Sequence, residues 1–304
     1  MEQAISGFDL CAKKTRKQVL LQQMDQVVPW AALVELIAPY DPEGKTGSPP
    51  FSLMTMLRIH FMQQWRALSD FAMEEAFFDA PLYRAFEPLR EFARLPDEST
   101  ILRFRHRLEK YKLAEQILET VNQLLPERGL LLEAGTAIDA NLIAVLTFTK
   151  NKDKKRDPEM HSSKKGDQWY FGMKAHIGVD AESGLVHTVR GTSGHVSDIA
   201  EANTLLHGEE SVAHGDVGYQ GVEKRPDAYA DVTWHVAMRP GIRKALNIEN
   251  KVNALIHEAE KLRAGIRAKV EHPFRVVKRQ FEFVKMRYLG LKKNTAQLFT
   301  LFAL

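Results

Sequence analysis

Apolar positions recur along the first part of the chain at intervals of three and four. Val19, Leu20, Met24, Val27 and Val28 follow this rule, and so do Leu33, Leu36 and Ile37. That spacing predicts helices with one face turned to a core. A Gly- and Pro-rich run, DPEGKTGSPP at 41–50, interrupts them. Met54, Leu57, Ile59, Phe61 and Met62 begin a further helix, and Leu68, Phe71, Met73, Ala76 and Phe77 belong to another. A helical stretch opens after Pro96, with Asp97 and Ser99 as candidate N-caps.

After Gly135 the period falls to two. GTAIDANLIAVL reads as a buried strand. In WYFGMKAHIGVD the residues Trp169, Phe171, Met173, Ala175, Ile177 and Val179 alternate with Tyr170, Lys174, His176 and Asp180. Such alternation predicts a strand with one apolar face. AESG turns the chain and LVHTVRG returns as the second arm of a hairpin. Ile199–Leu206 reads as a helix, SVAHGD and TWHVAM as short strands, and Ile248 to about Lys269 as a long helix. The basic stretch from Lys150 to Lys165 reads as an exposed loop between the first two strands. The order predicts an α/β chain: an all-α region over 1–131, then a ribonuclease-H-like mixed sheet flanked by helices over 132–304.

Composition narrows the class only slightly. The 304 residues are 44% hydrophobic and 27% charged, as in an ordinary globular protein. A net charge of +3 is too small to name a partner by itself. Cys11 is the sole cysteine, which excludes an internal disulfide framework and a multi-cysteine zinc site. The N-terminus shows no charged-then-apolar signal pattern, and no apolar run approaches the length of a bilayer span. The expectation is a cytoplasmic protein with no membrane contact.

Three acids stand out against this background. Asp139 sits within the apolar strand AIDANLI, where an unpartnered carboxylate is costly. Asp216 ends a short strand before the turn GYQG, and Glu271 lies late in the long helical stretch. Carboxylates delivered from two strands and a helix suit hard divalent cations, and paired cations suit phosphodiester chemistry. Taken singly, each has a plainer reading: a satisfied buried acid, a turn former and a surface ion pair.

The surrounding words are more specific. GTAIDANLI, the run TKNKDKKRDPEMHSSKKGDQWYFGMKAHIGVDAESGLVH, LLHGEE, GDVGYQG and IRAKVEHPFRVVKRQFEFVKMRYLGLKKNTAQL together resemble insertion sequence 5 family transposases. So, upstream, do LMTMLRIHFMQQW, LSDFAMEEAFFD and LPDESTILRFRH. The resemblance covers nearly the whole chain. It implies a DDE-type enzyme that cleaves DNA and transfers its strands, with Asp139, Asp216 and Glu271 as catalytic, metal-holding residues. Magnesium is the implied cofactor, with manganese able to substitute. Arg267, four before Glu271, and Lys278, seven after it, match the basic positions of the family pattern, while its tyrosine position is Ala264. Pro273 reads as the first turn of a new helical segment. Residues 145–149, VLTFT, depart from the family, which also usually continues beyond the position of Leu304. The alternative is therefore an inactive copy that only binds DNA.

The implied partner is double-stranded DNA, both terminal inverted repeats and target. A homodimer or higher oligomer follows from the need to pair two ends. Cations are placed to meet phosphates: Lys154, Lys155, Lys164 and Lys165 in the basic stretch, and Arg275 and Arg279 beside Lys278. Arg103 and Arg107 mark a candidate recognition helix in the N-terminal region. Phe274, Phe281, Phe283 and Tyr288 interleave with the second cluster, as a core stripe or as DNA contacts. His176 shares a strand face with Lys174, and a structural hydrogen bond is its expected role.

Overall fold

The computed structural model describes residues 14–42, 49–86, 94–130, 135–145 and 156–303. The chain forms two compact units, one spanning 1–63 and 68–107, the other 64–67 and 108–303. The helical pattern runs on to 131, but the compact units change over at Arg107 and Leu108.

The first unit is built from α1 (Arg16–Val27), α2 (Trp30–Ile37), α3 (Leu53–Trp65), α4 (Asp70–Asp79), α5 (Pro81–Phe86) and α6 (Glu98–Lys110). The last turns of α3 and α6 group with the second unit. Side chains cap the helix starts where backbone N–H groups lack partners. Thr15 and Gln18 form a reciprocal capping box on α1, and Ser69 accepts from Ala72 N on α4. Asp97 accepts from Thr100 N at 2.7 Å on α6, while Ser99 lies inside the helix and donates back to Asp97. Leu33, Ile37, Leu57, Ile59, Phe61, Met62, Met73 and Phe77 are fully buried, as the three-four spacing predicts. Phe71 departs from it and stays exposed.

The second unit adds α7 (Leu113–Leu124), β1 (Gly135–Val145), β2 (His161–Lys165), β3 (Gln168–Asp180), β4 (Val186–Ser193), β5 (Val212–Gly215) and β6 (Thr233–Val236). α8 (Pro240–Lys244), α9 (Lys251–Arg279), β7 (Lys285–Met286) and α10 (Leu291–Phe302) complete it. β4, β3 and β1 pair antiparallel, and β1, β5 and β6 pair parallel. Three antiparallel strands followed by two parallel to the first give the ribonuclease-H-like arrangement that the element order predicts. β2 extends the free end of β3, and β7 adds to the end of β1.

Three details differ from the sequence reading. Part of the basic stretch is strand: His161–Lys165 pairs with Gln168–Gly172. Residues 199–206 form two short 3₁₀ turns, Asp198–Ala200 and Asn203–Leu205, in place of a helix. A side chain at Gly178 would lie 2.2 Å from the Leu205 carbonyl oxygen, so this segment is pressed directly on the sheet backbone. Such close seating leaves no room for a regular helical cylinder. Finally, α9 runs unbroken through Pro273. The proline removes the hydrogen bond to the Lys269 carbonyl. Lys269 Nζ meanwhile ties the helix to the β3–β4 turn, donating to Ala181 O at 3.0 Å and Glu182 O at 2.6 Å.

Candidate active site

Asp139 lies midway along β1, between β3 and β5. The neighbouring β1–β5 register pairs Thr136 with Ala213 and Ala137 with His214, an offset of 213 − 136 = 77. Asp216 follows Asp139 by the same offset, 216 − 139 = 77. Extended two residues past its last pair, the parallel register would bring the two acids level, and Asp216 is close enough to act on Asp139 electrostatically. Both share the parity of Ala137 and His214, so both lie on one face of the sheet. His214 feels the charges of Arg263 and Arg267, which marks that face as the one carrying α9.

Each acid is shaped by its surroundings. Asp139 is half-buried, and its Oδ1 accepts from Ala140 N at 2.7 Å. Burial pushes its carboxyl up to about 7 against the pull of that N–H, and the charges of Asp216, Asp198 and Glu271 add to the rise. Asp216 is exposed at the end of β5, where Oδ1 accepts from Gly218 N at 2.7 Å and caps the turn Val217–Tyr219. Gly215 just before it admits the Tyr219 ring, which a Cβ would meet at 3.0–3.1 Å. Glu271 is exposed on α9, next to buried Val270. Among the described residues, no three His, Cys, Asp or Glu side chains stand together as a ready metal centre.

A fourth acid, Asp198, was not singled out by sequence reasoning. Lys174 Nζ binds its Oδ1 at 2.8 Å and the Val196 carbonyl at 2.8 Å. Buried His176 lies 4.0 Å from the same oxygen and shares a hydrogen bond with Thr192 Oγ1 at 2.7 Å, a structural role as expected. Burial lowers the His176 pKa. The Tyr219 hydroxyl is buried without a hydrogen-bond partner among the described residues. Burial, with the charges of Asp139, Asp198 and Asp216, drives its pKa upward. Only the alternating Lys174 and His176 hinted at this network, since Asp198 comes from a segment more than 20 residues away.

The cations divide. Lys278 Nζ reaches Asn141 Oδ1 at 2.7 Å. Its pKa is lowered by burial and by Lys165, with Asp139 opposing. Arg267 is half-buried, with its Nη1 lacking a hydrogen-bond partner among the described residues. Arg275, Arg279, Lys164 and Lys165 are exposed, whereas Lys154 and Lys155 lie outside the described residues. In the first unit Arg103 is exposed, while Arg107 is ion-paired with Asp41. Phe274, Phe281 and Phe283 are 5%, 1% and 2% exposed, so they form a core stripe and do not face a ligand.

Acids offered from adjoining parallel strands of a ribonuclease-H-like sheet suit metal-assisted phosphodiester chemistry, and the family matches specify the class of protein. The chain belongs to the Transposase DDE domain family, whose model matches residues 131–304. A second Transposase domain model matches residues 9–107, the pairing typical of insertion sequence 5 type transposases. The chain is also similar to the piggyBac transposase in a synaptic complex with hairpin DNA. That likeness has 12% identity and a TM-score of 0.42, over 95% of this chain and 76% of the other. No helix among the described residues is long and apolar enough to cross a membrane.

Proposed function

We propose that this transposase cuts DNA at the ends of an insertion sequence and joins the freed 3′ ends to target DNA. Asp139, Asp216 and Glu271 are its catalytic carboxylates, holding magnesium or, in its place, manganese. The observation that carries this reading is the β1–β5 register, whose offset matches the spacing of Asp139 and Asp216, with both Asp216 and Glu271 close enough to raise the Asp139 pKa. The donor set fits a hard cation: the three candidate ligands are all carboxylates, which offer only oxygen donors. When bound, such a cation neutralises charge on the attacked phosphate and on the attacking and leaving oxygens.

The chain's own residues supply position and charge. Asp139 is held from a strand in the centre of the sheet, so it moves little. Asp216 is oriented by its bond from Gly218 N. Glu271, exposed on α9, has the rotamer freedom to complete the set. Lys278 and Arg267 line the approach and would hold backbone phosphates, with Arg275, Arg279, Lys164 and Lys165 extending the contact. Lys154 and Lys155 are assigned the same role on the basic stretch. Arg103, with Arg107 if its pairing to Asp41 opens, would serve recognition of the terminal repeats by the first unit. Pairing of two element ends calls for a homodimer or larger assembly, working on cytoplasmic DNA.

A second reading, DNA binding without cutting, draws on the open arrangement of the three acids among the described residues. One assay separates the two. Purified protein is mixed with terminal-repeat duplex and magnesium, and nicked and joined products are resolved. Asp139→Asn, Asp216→Asn and Glu271→Gln should each abolish nicking yet leave duplex binding in place. Wild-type cutting by any one of them removes that residue from the set, and no cutting by the wild type upholds the second reading.

A further inference from the structure

Trp169 opens β3 on the apolar phase of its alternation, yet it is 69% exposed. Among the described residues, β1 pairs with β3 from Gly172 to Asp180, and β2 lies beside Gln168–Gly172. Nothing among the described residues covers the ring. Lys164 sits directly across from it, and Lys165 follows at the tip. No hydrogen bond or ion pair engages either lysine side chain among the described residues. Arg156 stands over Phe171 at 5.0 Å on the same strand. The tip carries one opposing charge, Asp167.

This hairpin end shares a face with the acids. Trp169, Phe171 and Ile177 have one parity on β3, and Ile177 is the direct partner of Asp139. The separation along the strand is 177 − 169 = 8 residues, or roughly 26 Å. Lysines continue between the two points: Lys165 is near enough to Lys278 to act on it electrostatically, and Lys278 bonds Asn141, two residues beyond Asp139. A polyanion lying across Asp139 would run along these cations toward the hairpin.

We propose that the β2–β3 hairpin end is a duplex-DNA contact, with Trp169 packed against the sugar or groove floor and Lys164 and Lys165 on flanking phosphates. It rests on the DNA-cutting reading for the position of the reacting phosphate. At about 3.4 Å per base pair, the contact falls roughly eight base pairs from that phosphate. An aromatic plate between lysines suits DNA better than a protein groove, because the lysines match a phosphate repeat and the ring tolerates any sequence.

Iodide quenching of tryptophan fluorescence tests it on the full chain. Trp30 and Trp65 are 9% and 0% exposed and Trp234 is half-buried, so Trp169 dominates the accessible signal. Trp169→Phe supplies the baseline. Two duplexes are titrated, one carrying the terminal repeat and one of mixed sequence. Protection of Trp169 by the repeat duplex alone assigns the contact to element ends, and protection by the mixed duplex assigns it to target or general DNA. Trp169→Ala should weaken the protecting duplex about fivefold. The proposal falls if saturating amounts of both duplexes leave Trp169 fully quenchable, or if Trp169→Ala binds as wild type does. Nicking is scored in the same samples: protection without nicking sinks the catalytic reading alone, and nicking without protection sinks the hairpin contact alone.

Discussion

Replacing Asp139 by asparagine should make the metal-free protein more stable at pH 8, while ending its activity. Burial, reinforced by Asp216, Asp198 and Glu271, lifts the Asp139 pKa from 3.8 to about 7. The folded state therefore keeps a proton that the unfolded chain releases near pH 4. Stability falls as pH rises from about 4 to 7, and the whole penalty persists above that window. A rise of about 3 units corresponds to a ceiling of about 4 kcal/mol at 1.36 kcal/mol per unit. The side chain is only half-buried, so water relaxes part of it, and about 2 kcal/mol is the expected gain at pH 8. For a unit of this size that is roughly 4–8 °C in Tm. At pH 4 the unfolded acid is only partly ionised, so most of the penalty is absent and the variant should nearly match wild type. Thermal denaturation with chelator present, repeated from pH 4 to 8, measures the gap. Magnesium should then narrow it by stabilising wild type alone. A variant no more stable than wild type at pH 8, or equally gained at pH 4, would refute the reasoning.

Two further outcomes follow from buried polar groups of the second unit. Tyr219→Phe removes a buried hydroxyl that has no hydrogen-bond partner among the described residues. Urea denaturation should show a change within about 1 kcal/mol, stabilising if anything, and a loss above about 2 kcal/mol would reveal a bond to that hydroxyl. Glu210 is buried and accepts from His207 N at 2.6 Å, Gly208 N at 2.7 Å and Thr136 Oγ1 at 2.8 Å. Against the desolvation that would raise it, these bonds hold its pKa below 4.5. Its stabilisation is present above pH 4.5 and is lost as pH falls through the lower folded value. Glu210→Gln should cost about 2–3 kcal/mol at pH 7 and much less at pH 3, and equal costs at both would show that charge is irrelevant there.

Trp169 and Asp198 show where local pattern stops being informative. The alternation around Trp169 is correct as a statement about strand phase, since Met173, Ala175, Ile177 and Val179 are all fully buried. It cannot say which part of the strand a covering layer reaches, because that depends on elements distant in the sequence. Asp198 stands just before the predicted helix Ile199–Leu206 and opens the first of two 3₁₀ turns, and its importance comes from Lys174, distant in the sequence. The cationic helix α6 shows the same division: its cap was legible in Asp97, but not the pairing of Arg107 with Asp41 across a gap in the sequence.

By itself the sequence determined the helical and strand periods, the caps, the change from α to β near Gly135 and the family words around the acids, because these depend on residues close together in the chain. Only tertiary structure decided that the 77-residue spacing of Asp139 and Asp216 equals the β1–β5 register, and that burial and neighbouring charges raise one of those acids. Both depend on which strands lie side by side and what surrounds them, and strand pairing is a non-local choice that no window of sequence contains.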